Sequence, residues 1–143
     1  MARVDIDKIR SVAVVAHSGA GKTSLIDAIL HAAGVNTRLG KVNDGTSMCD
    51  YHADEIERKI TINSKVLHLD WEGSRIYLLD TPGYADFIGE VISSLVACDS
   101  GLVLIDAASG VEVGTERVWE MLDQQNLPRL IFINKLDKEN ADF

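Results

Sequence analysis

The stretch Ala16-His17-Ser18-Gly19-Ala20-Gly21-Lys22-Thr23-Ser24 decides the fold. It follows a short β-branched run, SVAVVA at 11–16, and opens a segment from Lys22 to Ala33 whose Leu25, Ile26, Ile29 and Leu30 recur at helical spacing. Strand, tight turn and helix in that order begin an α/β domain. Gly19 and Gly21 allow a turn that aims backbone N–H groups inward, and Lys22 can reach the β and γ phosphates of a nucleotide. Thr23 offers a hydroxyl to Mg²⁺, and the helix start adds its dipole. His17, Ser18, Ala20 and Ser24 complete the candidate cradle. The spacing follows G-x-x-x-x-G-K-[ST] except that Ala16 stands at the first glycine. A plain glycine-rich turn with a surface lysine remains the alternative reading of this stretch alone.

Three further signals lie downstream in a consistent order. Asp80-Thr81-Pro82-Gly83 closes the apolar run RIYLLD. A carboxylate at the end of a strand can hold Mg²⁺ through water, and Gly83 can present its N–H to the γ phosphate. Asn134-Lys135-Leu136-Asp137 follows the apolar LIFI at 130–133. Asp137 can accept both the N1–H and the 2-amino group of guanine, which adenine does not offer there. Lys135 can lie over the base and Asn134 can tie this loop to the phosphate loop. Thr61, in IERKITI, can complete the Mg²⁺ shell when a γ phosphate is present, ordering the loop before it. The residues of this magnesium set are Thr23, Thr61 and Asp80. Taken singly, D-T-P-G is an ordinary turn and Thr61 an ordinary β-branched residue.

The rest of the chain supplies the frame. Residues 34–60 lose periodicity, hold Gly34, Gly40 and Gly45, and admit only a short helix at 53–58. Residues 62–71 alternate, with Lys65, Leu67, Leu69 and Trp71 on one side, and Glu72-Gly73 turns the chain into an antiparallel partner at 75–80. Helices are expected at 87–97 and 113–125, and buried parallel strands at 102–105 and 130–133. Short apolar strands between helices predict a mostly parallel sheet covered on both faces. The expected fold is therefore an α/β phosphate-loop architecture of three α/β/α layers with one antiparallel edge strand, incomplete at its C-terminal end.

Composition agrees with one soluble domain: 143 residues, 46% hydrophobic and 25% charged. A formal charge of −8 argues against a surface that coats nucleic acid, and no run is long enough for a membrane span. Cys49 and Cys98 fit no ligand spacing and read as free thiols in a reducing compartment. MARVDIDKIRS at the start shows no cleavable signal, so the cytoplasm is the expected location.

The segments AVVAHSGAGKTSLIDAIL, DGTSMCDYHADEIERKITIN, LLDTPGYADFIGEV, DAASGVEVGTERVWEML and LPRLIFINKLDKENADF resemble the GTPase domain of translation elongation factor G, over nearly the whole chain. The resemblance implies a domain that binds GTP and GDP with Mg²⁺, a first switch segment at about 35–62 and a second at about 81–90. It also implies a ribosome-bound, multidomain factor, with a further helix, a strand bearing a Ser-Ala motif and a last helix after Phe143. Without them a sheet edge lies uncovered, which leaves self-association open. Three positions depart from that family. Tyr84 stands where a water-orienting histidine is usual, Gly19 where aspartate is usual, and Lys59 where glycine is usual. The changes are similar to the elongation factor G-like paralogue. A phenol with a pKa near 10 cannot act as imidazole does. The resemblance therefore implies intact binding through Lys22, Thr23, Asp80 and Asp137 beside slow hydrolysis at Lys22, Gly83 and Tyr84, or an inert chain lacking the last base-contacting motif.

Overall fold

The computed structural model describes residues 5–141. Five strands form one sheet in the order β2-β3-β1-β4-β5: β1 Ile9–Val15, β2 Lys65–Trp71, β3 Ser74–Asp80, β4 Ser100–Asp106 and β5 Arg129–Asn134. β1 runs parallel to β3 and β4, β4 runs parallel to β5, and β2 alone is antiparallel to its neighbour. Among the described residues there are four α-helices, α1 Lys22–Ala32, α2 Ala53–Arg58, α3 Ile88–Val96 and α4 Val113–Gln124, and three short 3₁₀ turns. The expected α/β class, the mixed sheet and the antiparallel edge strand are all present.

β1 explains the layering. Ala13, Val14 and Val15 are all fully buried, so a strand with no polar alternation is covered on both faces. Val14 packs with Ile26 and Leu30 of α1 and with Leu69, Leu78 and Leu104. Ala13 and Val15 point the other way, against Val91 and Leu95 of α3 and Val118 and Leu122 of α4. Successive residues of one strand thus feed two cores, which is the period-two geometry of a pleated sheet.

Two sequence expectations shift. The strand expected from residue 62 begins at Lys65, because the N–H groups of Ile62 and Asn63 are taken by the Glu55 carboxylate rather than by a ladder. The strand expected to be buried at 130–133 is an exposed edge: Leu130 is 73% and Ile131 53% exposed. Among the described residues α4 lies over β4 and meets β5 at Arg129, whose guanidinium sits 4.3 Å over the Trp119 ring. An apolar run reports a strand of a parallel sheet and does not report whether its faces are covered.

Candidate functional site

The C-terminal ends of β1, β3, β4 and β5 and the start of α1 converge on one side of the sheet, where α/β folds place ligands. α1 begins directly after Gly21, whose φ of +100° no L-residue adopts easily and which, as the N-cap, offers no side-chain cap. The first N–H groups of α1 are therefore left without a cap at the wall of a cavity of about 350 Å³. Ser18, Gly19, Gly21, Lys22, Thr23, Ser24, Thr61, Tyr84 and Lys135 line it.

Lys22 is buried, its Nζ donating to the carbonyls of His17 at 3.2 Å and Ala16 at 3.4 Å. Burial lowers its pKa, and the Asp80 carboxylate pulls the other way. Asp80 is fully buried, and loss of water raises its pKa despite the Thr23 hydroxyl and the Lys22 ammonium. Gly83 lies against the phosphate loop: a Cβ there would stand 2.6 Å from Lys22 Nζ and 2.7 Å from Ser18 Cα.

Around Thr23 the oxygens outnumber the protons. Thr23 Oγ1 lies 2.9 Å from Asp80 Oδ2 and 3.0 Å from Thr61 Oγ1, and Thr61 Oγ1 lies 3.0 Å from Asp50 Oδ1. Two hydroxyl protons cannot satisfy three such contacts while both carboxylates are ionised. Asp80 Oδ1 and Asp50 Oδ2 are buried and have no hydrogen-bond partner among the described residues. Four buried carboxylates, Asp27, Asp50, Glu55 and Asp80, face two buried ammoniums, Lys22 and Lys65. Such an oxygen-rich, proton-poor set fits a hard divalent cation. Among the described residues no three His, Cys, Asp or Glu gather as a self-sufficient metal site. That suits Mg²⁺, which uses one or two carboxylates together with phosphate oxygens and water.

The loop after β5 is tied to the phosphate loop. Asn134 Nδ2 donates to the Ala20 carbonyl at 2.9 Å, and Lys135 Nζ donates to the Gly19 carbonyl. Asp106, at the end of β4, accepts from both Lys135 and Lys138 at 2.9 Å, and these ammoniums hold its carboxyl well below the usual range. Asp137 stands exposed on the turn that follows. The His17 ring points toward Glu112, 3.5 Å away, at the start of α4. Tyr84 is 45% exposed and lies between the cavity at the start of α1 and a second one of about 390 Å³, bordered by His17, Ile88 and Arg117.

Sequence reasoning did not single out Asp50, Glu55, Lys65 or Asp106. Asp106 ends β4 as Asp80 ends β3, and Lys65 shares the inward register of Leu67 and Leu69, so a signal was present for each.

Residues 7–143 match the model of the elongation factor Tu GTP binding domain. The chain belongs to that family. It is a GTP-binding domain of the translational GTPase type. It is 44% identical over 138 residues to ribosome-releasing factor 2, mitochondrial, of Pongo abelii, covering 96% of this chain and 18% of that protein. It is 44% identical over 140 residues to elongation factor G of Thermotoga neapolitana, covering 98% of this chain and 20% of that protein. A crystal structure from Thermus thermophilus superposes with a TM-score of 0.90 at 43% identity, over 92% of this chain and 20% of that one. The GTP-binding domain thus spans about a fifth of the length of these relatives.

The expected cytoplasmic location does not stand. Ribosome-releasing factor 2 relatives from Pongo abelii, Drosophila and rodents are mitochondrial proteins by name. Organelle addresses reside in removable leader segments, so the charge and core of a folded domain carry no trace of them.

Proposed function

We propose that this domain binds GTP and GDP with Mg²⁺ and hydrolyses GTP slowly, as the nucleotide-driven part of a ribosome-acting factor of the elongation factor G and ribosome-releasing factor 2 type. The observation that supports it most is the proton-poor cluster of Thr23, Thr61, Asp50 and Asp80 beside Lys22. Thr23 and Thr61 would ligate Mg²⁺, with Asp80 acting through water, and Mg²⁺ would neutralise charge on the β and γ oxygens. Lys22 and the free N–H groups of 18–24 would hold the phosphates. Lys135 and Asp137 would hold the guanine, with Asn134 bracing their loop. Residues at about 35–62 and about 81–90 would serve as the two switch segments of the GTP-binding domain. The names of the relatives favour a mitochondrial compartment. The exposed β5 edge would meet further polypeptide or a second copy.

Titration with fluorescent GDP, chased by GDP or ADP, tests the binding reading. Saturable binding displaced by GDP and not by ADP is expected. No saturable binding, or equal displacement by ADP, overturns it and leaves a chain that is inert or reads no base.

Tyr84 favours a slow step. Its hydroxyl can hold a water beside the cavity, while a phenol neither accepts a proton readily near neutral pH nor carries positive charge. Tyr84→His is expected to raise single-turnover GTP hydrolysis at least tenfold, with GDP affinity unchanged. Equal rates for Tyr84, Tyr84→His and Tyr84→Phe, with and without ribosomes, would show that this residue does not limit turnover.

A further inference from the structure

Lys65 is an unusual residue to find on the inner face of a strand. It is 4% exposed and pairs in register with Asp80 across the β2–β3 ladder, which brings its side chain to the same face as the magnesium cluster. Nothing in the nucleotide chemistry described so far uses it. A lysine is rarely buried without partners, and this one has three: it donates to Glu55 Oε1, lies 3.8 Å from Asp50 Oδ1, and sits 5.7 Å from the centroid of the Tyr51 ring.

All three partners lie on residues 50–55, within the long segment that carries Thr61. Glu55 Oε1 also accepts from the N–H groups of Ile62 at 2.8 Å and Asn63 at 3.0 Å. Asp50 Oδ1 also meets the Thr61 hydroxyl at 3.0 Å, and that hydroxyl meets Thr23. One ammonium therefore gathers the two carboxylates that hold residues 61–63, and their segment delivers Thr61 to the phosphate loop. Without the ammonium, Asp50 and Glu55 would bury two negative charges next to a third at Asp80. Mutual repulsion and loss of water would then drive the segment outward.

We propose that Lys65 is a positioning residue, a cation built into β2 that holds residues 50–63 closed on the phosphate loop, so that Thr61 reaches Thr23 through protein contacts and not solely through the γ phosphate and its Mg²⁺. In a switch of this kind the ligand gains less by closing the segment, because closure is already supported from beneath. The first arm of the test is independent of what the cavity binds; only the second rests on the Mg²⁺–nucleotide reading.

Hydrogen exchange read by mass spectrometry on the nucleotide-free chain is the experiment. In Lys65→Met, amides of 50–63 are expected to exchange at least tenfold faster than in the unaltered chain, while β1 and β4 keep their rates. Lys65→Arg, which retains the charge and the donors, is expected to restore most of the protection. A general loss of stability would instead speed exchange throughout and would not be rescued selectively. In the second arm, a non-hydrolysable GTP analogue with Mg²⁺ slows exchange of 50–63 far more in Lys65→Met than in the unaltered chain. Unchanged exchange of 50–63 in a folded Lys65→Met chain overturns the proposal. If that variant does not fold, Glu55→Gln with Lys65→Met removes both charges and keeps the Gln carbonyl for Ile62 and Asn63. Faster exchange confined to 50–63 then supports the proposal, and unchanged exchange overturns it. A chain that passes the first arm and shows no ligand response at all refutes the nucleotide reading and leaves the role of Lys65 standing.

Discussion

Replacing Asp106 by asparagine probes the brace under the loop that follows β5, the one proposed to hold guanine. Asp106 is 4% exposed, and its Oδ2 takes hydrogen bonds from Lys135 and Lys138, both at 2.9 Å, while Oδ1 takes the Ala108 N–H at 3.0 Å. Asparagine keeps the shape and an accepting oxygen and removes the charge. Hydrogen bonds to charged groups contribute roughly 1.5–3 kcal/mol, against roughly 1 kcal/mol for neutral ones. The side chains of Lys135 and Lys138 are 28% and 46% exposed, so solvent screening removes much of that difference. A destabilisation of about 1–2 kcal/mol at pH 7 is expected. The pH dependence has a definite sign. The folded-state pKa of Asp106 is depressed, first by Lys135 and then by Lys138, so its contribution is present above the unfolded value near 3.9 and is lost as pH falls below it. At pH 3 the unfolded carboxyl is mostly protonated, and roughly 1 kcal/mol of the difference between the two chains disappears. Urea denaturation of both chains at pH 7, 5 and 3 reads this directly, with fluorescent GDP affinity at pH 7 expected to fall several-fold as the loop loosens. A stability gap that stays constant from pH 7 to pH 3, or widens on acidification, refutes the argument.

Two smaller perturbations follow from backbone geometry. Gly83→Ala places a methyl 2.7 Å from Ser18 Cα and 3.0 Å from its N, backbone atoms that cannot yield, so residues 81–87 must lift from the phosphate loop; affinity for a GTP analogue is expected to fall more than tenfold while GDP affinity falls less, and parallel losses for both would show that Gly83 does not serve the γ-phosphate side. Lys59 ends α2 at φ 56° and ψ 38°, a left-handed conformation that costs a side-chain-bearing residue roughly 1 kcal/mol. Lys59→Gly is expected to stabilise the chain by about 0.5–1 kcal/mol in denaturant titration, and a loss of stability would mean that the lysine side chain contributes more than its backbone strain costs.

What the sequence disclosed and what it hid follow from the range of the interactions. Strand, glycine turn and helix at 11–33 are set by neighbours in the chain, and β1, Gly21 and α1 form where the pattern places them. The short helix at 53–58 and the β2–β3 hairpin are equally local. The face coverage of β5 depends on what packs over it from elsewhere, so an apolar LIFI could not distinguish an interior strand from an edge. The pairs Lys65–Glu55 and Asp106–Lys138 span loops, and no single window holds both partners in a recognisable pattern. Inward register gave the one hint for Lys65: alternation put it beside Leu67 and Leu69, and a charged residue in an apolar file requires an ion partner inside.

The proposed binding and the proposed hydrolysis would rest on differently supported parts of this structure, so that one could weaken while the other is kept. Lys22 and Thr23 sit in the first turn of α1, Asp80 at the end of a strand paired on both sides, and Asn134 at the end of β5 with its amide on Ala20. Each is held by a helix or by a ladder. Tyr84 belongs to the non-helical start of a single 3₁₀ turn at 85–87, half exposed, fixed mainly by the Phe87 N–H donating to the Tyr84 carbonyl at 3.1 Å. Among the described residues Tyr84 lies outside both buried clusters and outside the strand ladders, so a substitution there is expected to leave the helix and strands around the cavity in place. On the proposed reading, a tyrosine in place of a water-orienting histidine would slow hydrolysis and spare nucleotide affinity, whereas a comparable change at Asp80 or Thr23 would disturb the buried cluster that both share. The proposed binding would thus draw on residues set in regular structure, and the proposed turnover on Tyr84, one residue beyond the Thr81 and Gly83 contacts that hold its loop to β1 and the phosphate loop.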